Sequence, residues 1–171
     1  MPVTPLPTVP DFLTWLDVEK LIEHLLLQLR GPYDALLMIT RGGIVPGGLI
    51  AEALDIRYIL TAAVEFPGGN QERLAWPTFS QFPSDALLRD KRVLIVDDIW
   101  AHGRTINTVR GRTQAAGGRP EVAVLHYKPG ASLFREAGPE HYAAITDRFI
   151  VYPWEVQRGP DDLRERAPAP N

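Results

Sequence analysis

The chain has 171 residues, 45% of them hydrophobic and 23% charged, the balance of an ordinary globular core and a length that suits one compact domain. A formal charge of -3 lacks the basic excess by which proteins neutralise nucleic-acid phosphates, and no apolar run is long enough to cross a bilayer, so neither polymeric nucleic acid nor a membrane is an expected partner. Without cysteine there are no disulfides, no thiolate chemistry and no cysteine-bound zinc, and the four histidines are too scattered for a metal motif; the expected setting is cytoplasmic, and any metal arrives with a substrate.

Four prolines in residues 1–10, and a charged, proline-containing tail over 156–171, predict loosely ordered ends around a single domain at 11–155. Leu16, Val18, Leu21, Ile22, Leu25, Leu26 and Leu29 recur at helical spacing, with Thr14 and Asp17 as a capping pair and Gly31-Pro32 as the stop. Ala35–Ile39 reads as a buried strand. Arg41-Gly42-Gly43 breaks it, and Val45–Leu54 follows as a helix with Pro46 in its first turn. Further strands are predicted at Arg57–Val64, Arg92–Val96 and Glu121–His126, and a helix at Ile106–Ala116 closed by Gly117-Gly118. Strand alternating with helix implies an α/β fold, a central parallel sheet flanked by helices. Between Glu65 and Asp85, four prolines and glycines (Pro67, Gly68, Gly69, Pro77) with Asn70 and Pro83 predict about twenty residues without regular structure, which composition alone reads equally as a functional or mobile loop and as a surface insertion.

The chemistry concentrates on Arg92-Val-Leu-Ile-Val-Asp-Asp-Ile-Trp-Ala-His-Gly-Arg-Thr105. Parallel sheets bind ligands outside the carboxyl ends of their strands, where Asp97 and Asp98 fall. Adjacent carboxylates there accept hydrogen bonds from a vicinal diol. The turn Ala101–Thr105 offers backbone N–H groups and the Thr105 hydroxyl to an anion, and the helix beyond adds its dipole. Sugar diol and phosphate are both provided for. Asp-Asp by itself also suits an ordinary strand-to-loop transition, and it is Gly103 and Thr105 at this spacing that single the segment out.

This segment resembles the signature by which type I phosphoribosyltransferases bind 5-phosphoribosyl-1-pyrophosphate (PRPP). The resemblance implies that family's fold, with a small hood built from the chain ends, and its activity: transfer of 5-phosphoribose from PRPP to a nucleobase, with magnesium carried on the pyrophosphate. Asp97 and Asp98 would hold the ribose hydroxyls, and Ala101, His102, Gly103, Arg104 and Thr105 the 5-phosphate. Upstream, Ile39-Thr40-Arg41-Gly42-Gly43-Ile44-Val45-Pro46-Gly47 is similar to the pyrophosphate loop of xanthine-guanine and related purine enzymes, with Thr40, Gly42 and Gly43 supplying backbone and Arg41 fixed charge. In those enzymes the loop carries a non-proline cis peptide, expected here at Thr40-Arg41 or Arg41-Gly42. Val124-Leu-His-Tyr-Lys128-Pro129 puts Lys128 where 6-oxopurine enzymes meet the exocyclic oxygen. Asp147-Arg-Phe-Ile-Val-Tyr-Pro-Trp-Glu155 resembles their base-stacking segment: Phe149 stacks, Ile150 offers backbone contacts, and Glu155 holds magnesium-linked water, with Asp97 also near the ion.

Two positions depart from the oxopurine pattern. Ala101 stands where those enzymes have an aspartate facing N7 of the base and adenine enzymes have alanine, and His102 replaces a Thr or Ser. With Asp97, Asp98 and Arg41, His102 completes the candidate catalytic set, as the neighbour of the vacant position. A purine acceptor and a homodimer or larger assembly are expected by resemblance. The alternatives are a non-catalytic PRPP-binding regulator and a phosphoribosyltransferase for a non-purine acceptor.

Overall fold

The structure, a computed structural model, describes residues 9–67 and 76–155. These form two compact units, a larger one over 21–146 and a smaller one from 9–20 with 147–155.

In the larger unit a run of apolar residues makes each central strand equally at home on both faces, which suits a parallel sheet covered on both sides. Six strands are ordered β4-β3-β2-β5-β6-β7: β2 (Ala35–Ile39), β3 (Ile59–Glu65), β4 (Thr78–Gln81), β5 (Arg92–Trp100), β6 (Arg119–Tyr127) and β7 (His141–Ile145). All neighbours run parallel except β4, which pairs antiparallel with β3. Helix α2 (Ile44–Ala53) packs on β2 and β5, and α4 (Arg104–Ala115) on β3, β5 and β6. Alternation along the strands serves both helices. Leu37, Ile39, Val93 and Ile95 join Ile106 and Val109 of α4 in one cluster, whereas Leu36 and Met38 meet Gly47 of α2.

The chain passes from β2 outward to β3 on one side, then crosses to β5 and continues through β6 and β7 on the other. The strand order therefore reverses between β2 and β5, the place where open α/β sheets bind ligands.

Four elements of the larger unit differ from the sequence expectation. Within 65–85, Thr78–Gln81 forms β4, and Asp85–Leu88 a short helix, α3; residues 68–75 of that stretch lie outside the described residues. Local composition opposes a strand there, but the outer edge of β3 presents unpaired backbone groups, and Phe79 opposite Val64 brings an aromatic onto the core. Strand β5 continues through both acids to Trp100 because β6 keeps pairing with it. Strand β7, not evident in the sequence, extends the sheet beyond β6, and the side-chain amide of Gln28 bonds its exposed edge, donating to the Tyr142 carbonyl at 2.8 Å.

At the amino ends of these strands lies a polar cluster. Glu121 accepts from Arg92 Nε at one carboxylate oxygen, at 2.8 Å, and from the Tyr33 hydroxyl at the other, at 2.9 Å, where His141 Nε2 also lies at 3.0 Å.

The smaller unit pairs two-residue strands, β1 (Asp11–Phe12) and β8 (Ile150–Val151), in parallel. Helix α1 (Trp15–Leu26) opens there with the expected capping pair: Asp17 N–H donates to Thr14 Oγ1 at 3.2 Å, and Thr14 N–H to Asp17 at 2.8 Å. Tyr152 is buried and stacks on Trp154, their ring centres 4.6 Å apart. Among the described residues no helix is long and apolar enough to cross a membrane.

Candidate active site

Strands β2 and β5 pair only as far as Met38 and Val96, while β5 and β6 stay paired through Asp97–Val124 and Ile99–His126 to Trp100–Tyr127. Among the described residues no strand flanks the β2 side of β5 from Asp97 onward, and the turn that leaves β2 takes that place. Thr40 is held by its N–H to the Ala62 carbonyl at 2.8 Å, the Thr40-Arg41 peptide is cis as expected, and Gly43 N–H returns to the Ile39 carbonyl at 2.8 Å. The turn is pressed so tightly on β5 that a Cβ on Gly43 would collide with the Val96 carbonyl, and one on Gly42 would lie 2.6 Å from the Asp98 carboxyl. At Gly43 a side chain would meet backbone that cannot move aside, at Gly42 it would have to displace the Asp98 carboxyl, and Arg41 beside them is exposed.

Asp97 turns one oxygen back to accept the Asp98 N–H at 3.0 Å. Asp97 is partly exposed, with protein packed closely around its carboxyl. That burial, and then the neighbouring Asp98 charge, raise its pKa well above the usual carboxylate range. Two carboxyls this close favour a ligand that brings hydrogen-bond donors or positive charge.

Beyond Trp100 the chain turns through Ala101 and His102 into Gly103, which adopts the left-handed conformation (φ 79°) and starts α4 with no side-chain cap. The first N–H groups of a helix have no partner within it, and no acidic residue lies in the first turn of α4 to answer its dipole. The end is therefore open to an anion. Thr105 is partly exposed there, His102 is exposed, and the Arg104 guanidinium lies 4.2 Å from the ring centre of Phe66, just past β3. At the carboxyl end of β6, Lys128 donates its N–H to the Trp100 carbonyl at 2.8 Å. So Thr40–Gly43, Asp97, Asp98, residues 101–105 and Lys128 come to one end of one sheet.

Phe149, Ile150 and Glu155 belong to the smaller unit. Phe149 is partly exposed, and its carbonyl accepts the Asp11 N–H at 2.7 Å; Ile150 is buried in β8. Glu155 is buried, and its carboxylate accepts the Tyr152 N–H at 3.1 Å.

The phosphoribosyl transferase domain family matches residues 11–158. The chain belongs to that family. Among relatives of this phosphoribosyltransferase, the xanthine-guanine phosphoribosyltransferase of Cereibacter sphaeroides is 30% identical over 129 residues, which cover 74% of this chain and 72% of that protein. The solved purine phosphoribosyltransferase of Pyrococcus horikoshii superposes with a TM-score of 0.71 at 27% identity, over 85% of this chain and 94% of that one. The Helicobacter pylori xanthine-guanine-hypoxanthine enzyme, at 17% identity and a TM-score of 0.72 over 92% and 100% of the two chains, shares the fold.

Two residues at this phosphoribosyltransferase's site escaped the sequence reading. Phe66 reaches Arg104 only because β3 and β5 both end on the same side, a relation without any sequence period. Trp100 had a signal, a large aromatic between the acids and the glycine.

Proposed function

We propose that this protein transfers 5-phosphoribose from PRPP to a purine base, releasing pyrophosphate and a nucleoside monophosphate. The carrying observation is the contact of Gly42 with Asp98 at the reversal of strand order, which unites an anion-binding turn, a carboxylate pair and an open helix N-terminus. In this reading Asp97 and Asp98 accept hydrogen bonds from the ribose hydroxyls, the amides and Thr105 hydroxyl of 101–105 hold the 5-phosphate with Arg104 beside them, and Thr40–Gly43 receive the leaving pyrophosphate, with Arg41 offsetting its charge.

Displacement at the anomeric carbon passes through an oxocarbenium-like state, so the chain's task is orientation, charge and exclusion of water more than covalent chemistry. Lys128 meets the exocyclic oxygen of the base. Phe149 is read as its stacking partner, Ile150 as a source of backbone contacts and Glu155 as the acid for magnesium-linked water. Among the described residues no cluster of three or more His, Cys, Asp or Glu forms a protein cage for a metal. The adjacent oxygen donors of Asp97 and Asp98 fit magnesium carried by pyrophosphate, which needs only one or two carboxylates. When bound, the ion supplies positive charge to the leaving group. Ile44 and Leu49, exposed on the otherwise apolar α2, support a homodimer or larger assembly.

Ala101 favours a second reading, an adenine acceptor. Incubation with PRPP, magnesium and each of hypoxanthine, guanine, xanthine, adenine, uracil and orotate, with detection of nucleotide and pyrophosphate, decides between them. Turnover of an oxopurine is expected. Turnover of adenine alone would make Ala101 the better guide than Lys128, turnover of a pyrimidine alone would point to a non-purine enzyme, and PRPP binding without any turnover would mark a regulator.

A further inference from the structure

The irregular segment 128–140 between β6 and β7 is tied to the turn after β5 by three hydrogen bonds. Lys128 N–H donates to the Trp100 carbonyl at 2.8 Å, Leu133 N–H to the His102 carbonyl at 3.1 Å, and the Trp100 indole Nε1–H to Ser132 Oγ at 3.1 Å. The last of these differs in kind, since it fixes the direction of a ring. Trp100 is fully buried, so its indole N–H, a donor only, is met from within the protein, and Ser132 meets it. Its Nε1 and Cε2 lie 2.5 Å from where a Cβ on Gly103 would be, so the ring is in contact with the Gly103 α-carbon. Tyr127 meets the same ring edge-on at 6.2 Å, and the Arg110 guanidinium lies 5.4 Å from its centre. A ring enclosed on these sides and resting against Gly103 determines where that glycine, and with it the first amides of α4, can sit.

Ser132 is itself held in place. Its hydroxyl donates to the Phe134 carbonyl at 3.1 Å and accepts the Phe134 N–H at 3.3 Å, so one oxygen both closes its own turn and receives the indole.

We propose that Ser132 is a positioning residue for the PRPP phosphate loop, acting through the Trp100 indole to hold Gly103 and joining that loop to the Lys128 segment. The inference rests on reading 101–105 as the 5-phosphate site. Removing the hydroxyl leaves a buried indole N–H without an acceptor, the ring reorients, and the loop that it supports follows. A role confined to the turn with Phe134 would instead lower stability without regard to what stands at 100.

The test is a double-mutant cycle with steady-state kinetics and PRPP calorimetry on the full chain. Ser132→Ala should raise KM and Kd for PRPP about threefold to tenfold, the loss of one neutral hydrogen bond, with kcat within about twofold. Ser132→Thr should restore most of the affinity. Trp100→Phe, which has no N–H, should itself weaken PRPP binding, and adding Ser132→Ala to it should change nothing further. Unchanged PRPP affinity in Ser132→Ala, or an equal effect in the Trp and Phe backgrounds, would overturn the proposal; if Ser132→Ala fails to fold, wild-type PRPP affinity in Trp100→Phe would overturn it as well. Failure of the underlying reading would appear in the wild type, as absence of PRPP binding, whereas failure of this inference appears in the variants alone.

Discussion

The α-carbon of Gly42 rests on the carboxyl group of Asp98: a methyl built there would lie 2.6 Å from Cγ and from both oxygens. The turn after β2 and the acid at the end of β5 therefore constrain each other. Gly42→Ala should displace one of them and lower kcat/KM for PRPP by about 10- to 100-fold, as sub-ångström to ångström misplacement does. The cost in stability should be about 1 to 3 kcal/mol, typical of overpacking. Steady-state kinetics beside thermal unfolding checks both; wild-type kcat/KM would show that the turn yields freely.

Asp97 makes the stability of the ligand-free protein depend on pH. An aspartate whose folded pKa is raised contributes stability in full below its ordinary value of 3.8 and loses it as pH rises through the folded value. Asp97→Asn removes that loss. Its Tm relative to wild type, measured in chelator, should therefore rise as the pH increases above about 4, while PRPP binding weakens by roughly 1.5 to 3 kcal/mol for the lost charged acceptor. A pH-independent Tm difference would mean that the carboxyl titrates normally.

His102 is exposed beside Ala101, where the oxopurine pattern has its acid. With an oxopurine acceptor, His102→Thr should lower kcat about tenfold or more, as loss of a general base does, with much less effect on PRPP affinity. Adding Ala101→Asp should restore part of the rate. Wild-type kcat in His102→Thr would remove histidine from the chemistry.

Glu121 works at the opposite ends of the strands. Burial pushes its carboxyl up, but hydrogen bonds from His141, Arg92 and Tyr33 together outweigh burial and hold it below its ordinary 4.5. A depressed carboxylate contributes stability above the unfolded value and loses it as pH falls through the folded one. Glu121→Gln should therefore cost about 1 to 3 kcal/mol near neutrality, and the difference from wild type should close as the pH falls below about 4.5. Denaturant melts at pH 7 and pH 3 test this; an equal difference at both would show that packing, not charge, is what the substitution removes.

Much of this protein is legible from short-range sequence alone. The apolar run Ala35–Ile39 and the capping pair Thr14 and Asp17 are local signals, and the structure keeps both. The acids of β5 and the glycine and threonine after them lie within nine residues, so their spacing carries the family resemblance without reference to the rest of the fold. Contacts between distant segments were beyond its reach. Strand β4 forms against local composition because the edge of β3 offers hydrogen bonds. Gly42 is an ordinary turn glycine until Asp98, 56 positions on by simple subtraction, is packed on it. Trp100 and Ser132 meet only because β5 and β6 are neighbours and the connection after β6 folds back over their ends. Residue type and spacing determined which chemistry the chain carries; the order of the strands, which follows from burying both faces of one sheet, decided which of those residues stand together.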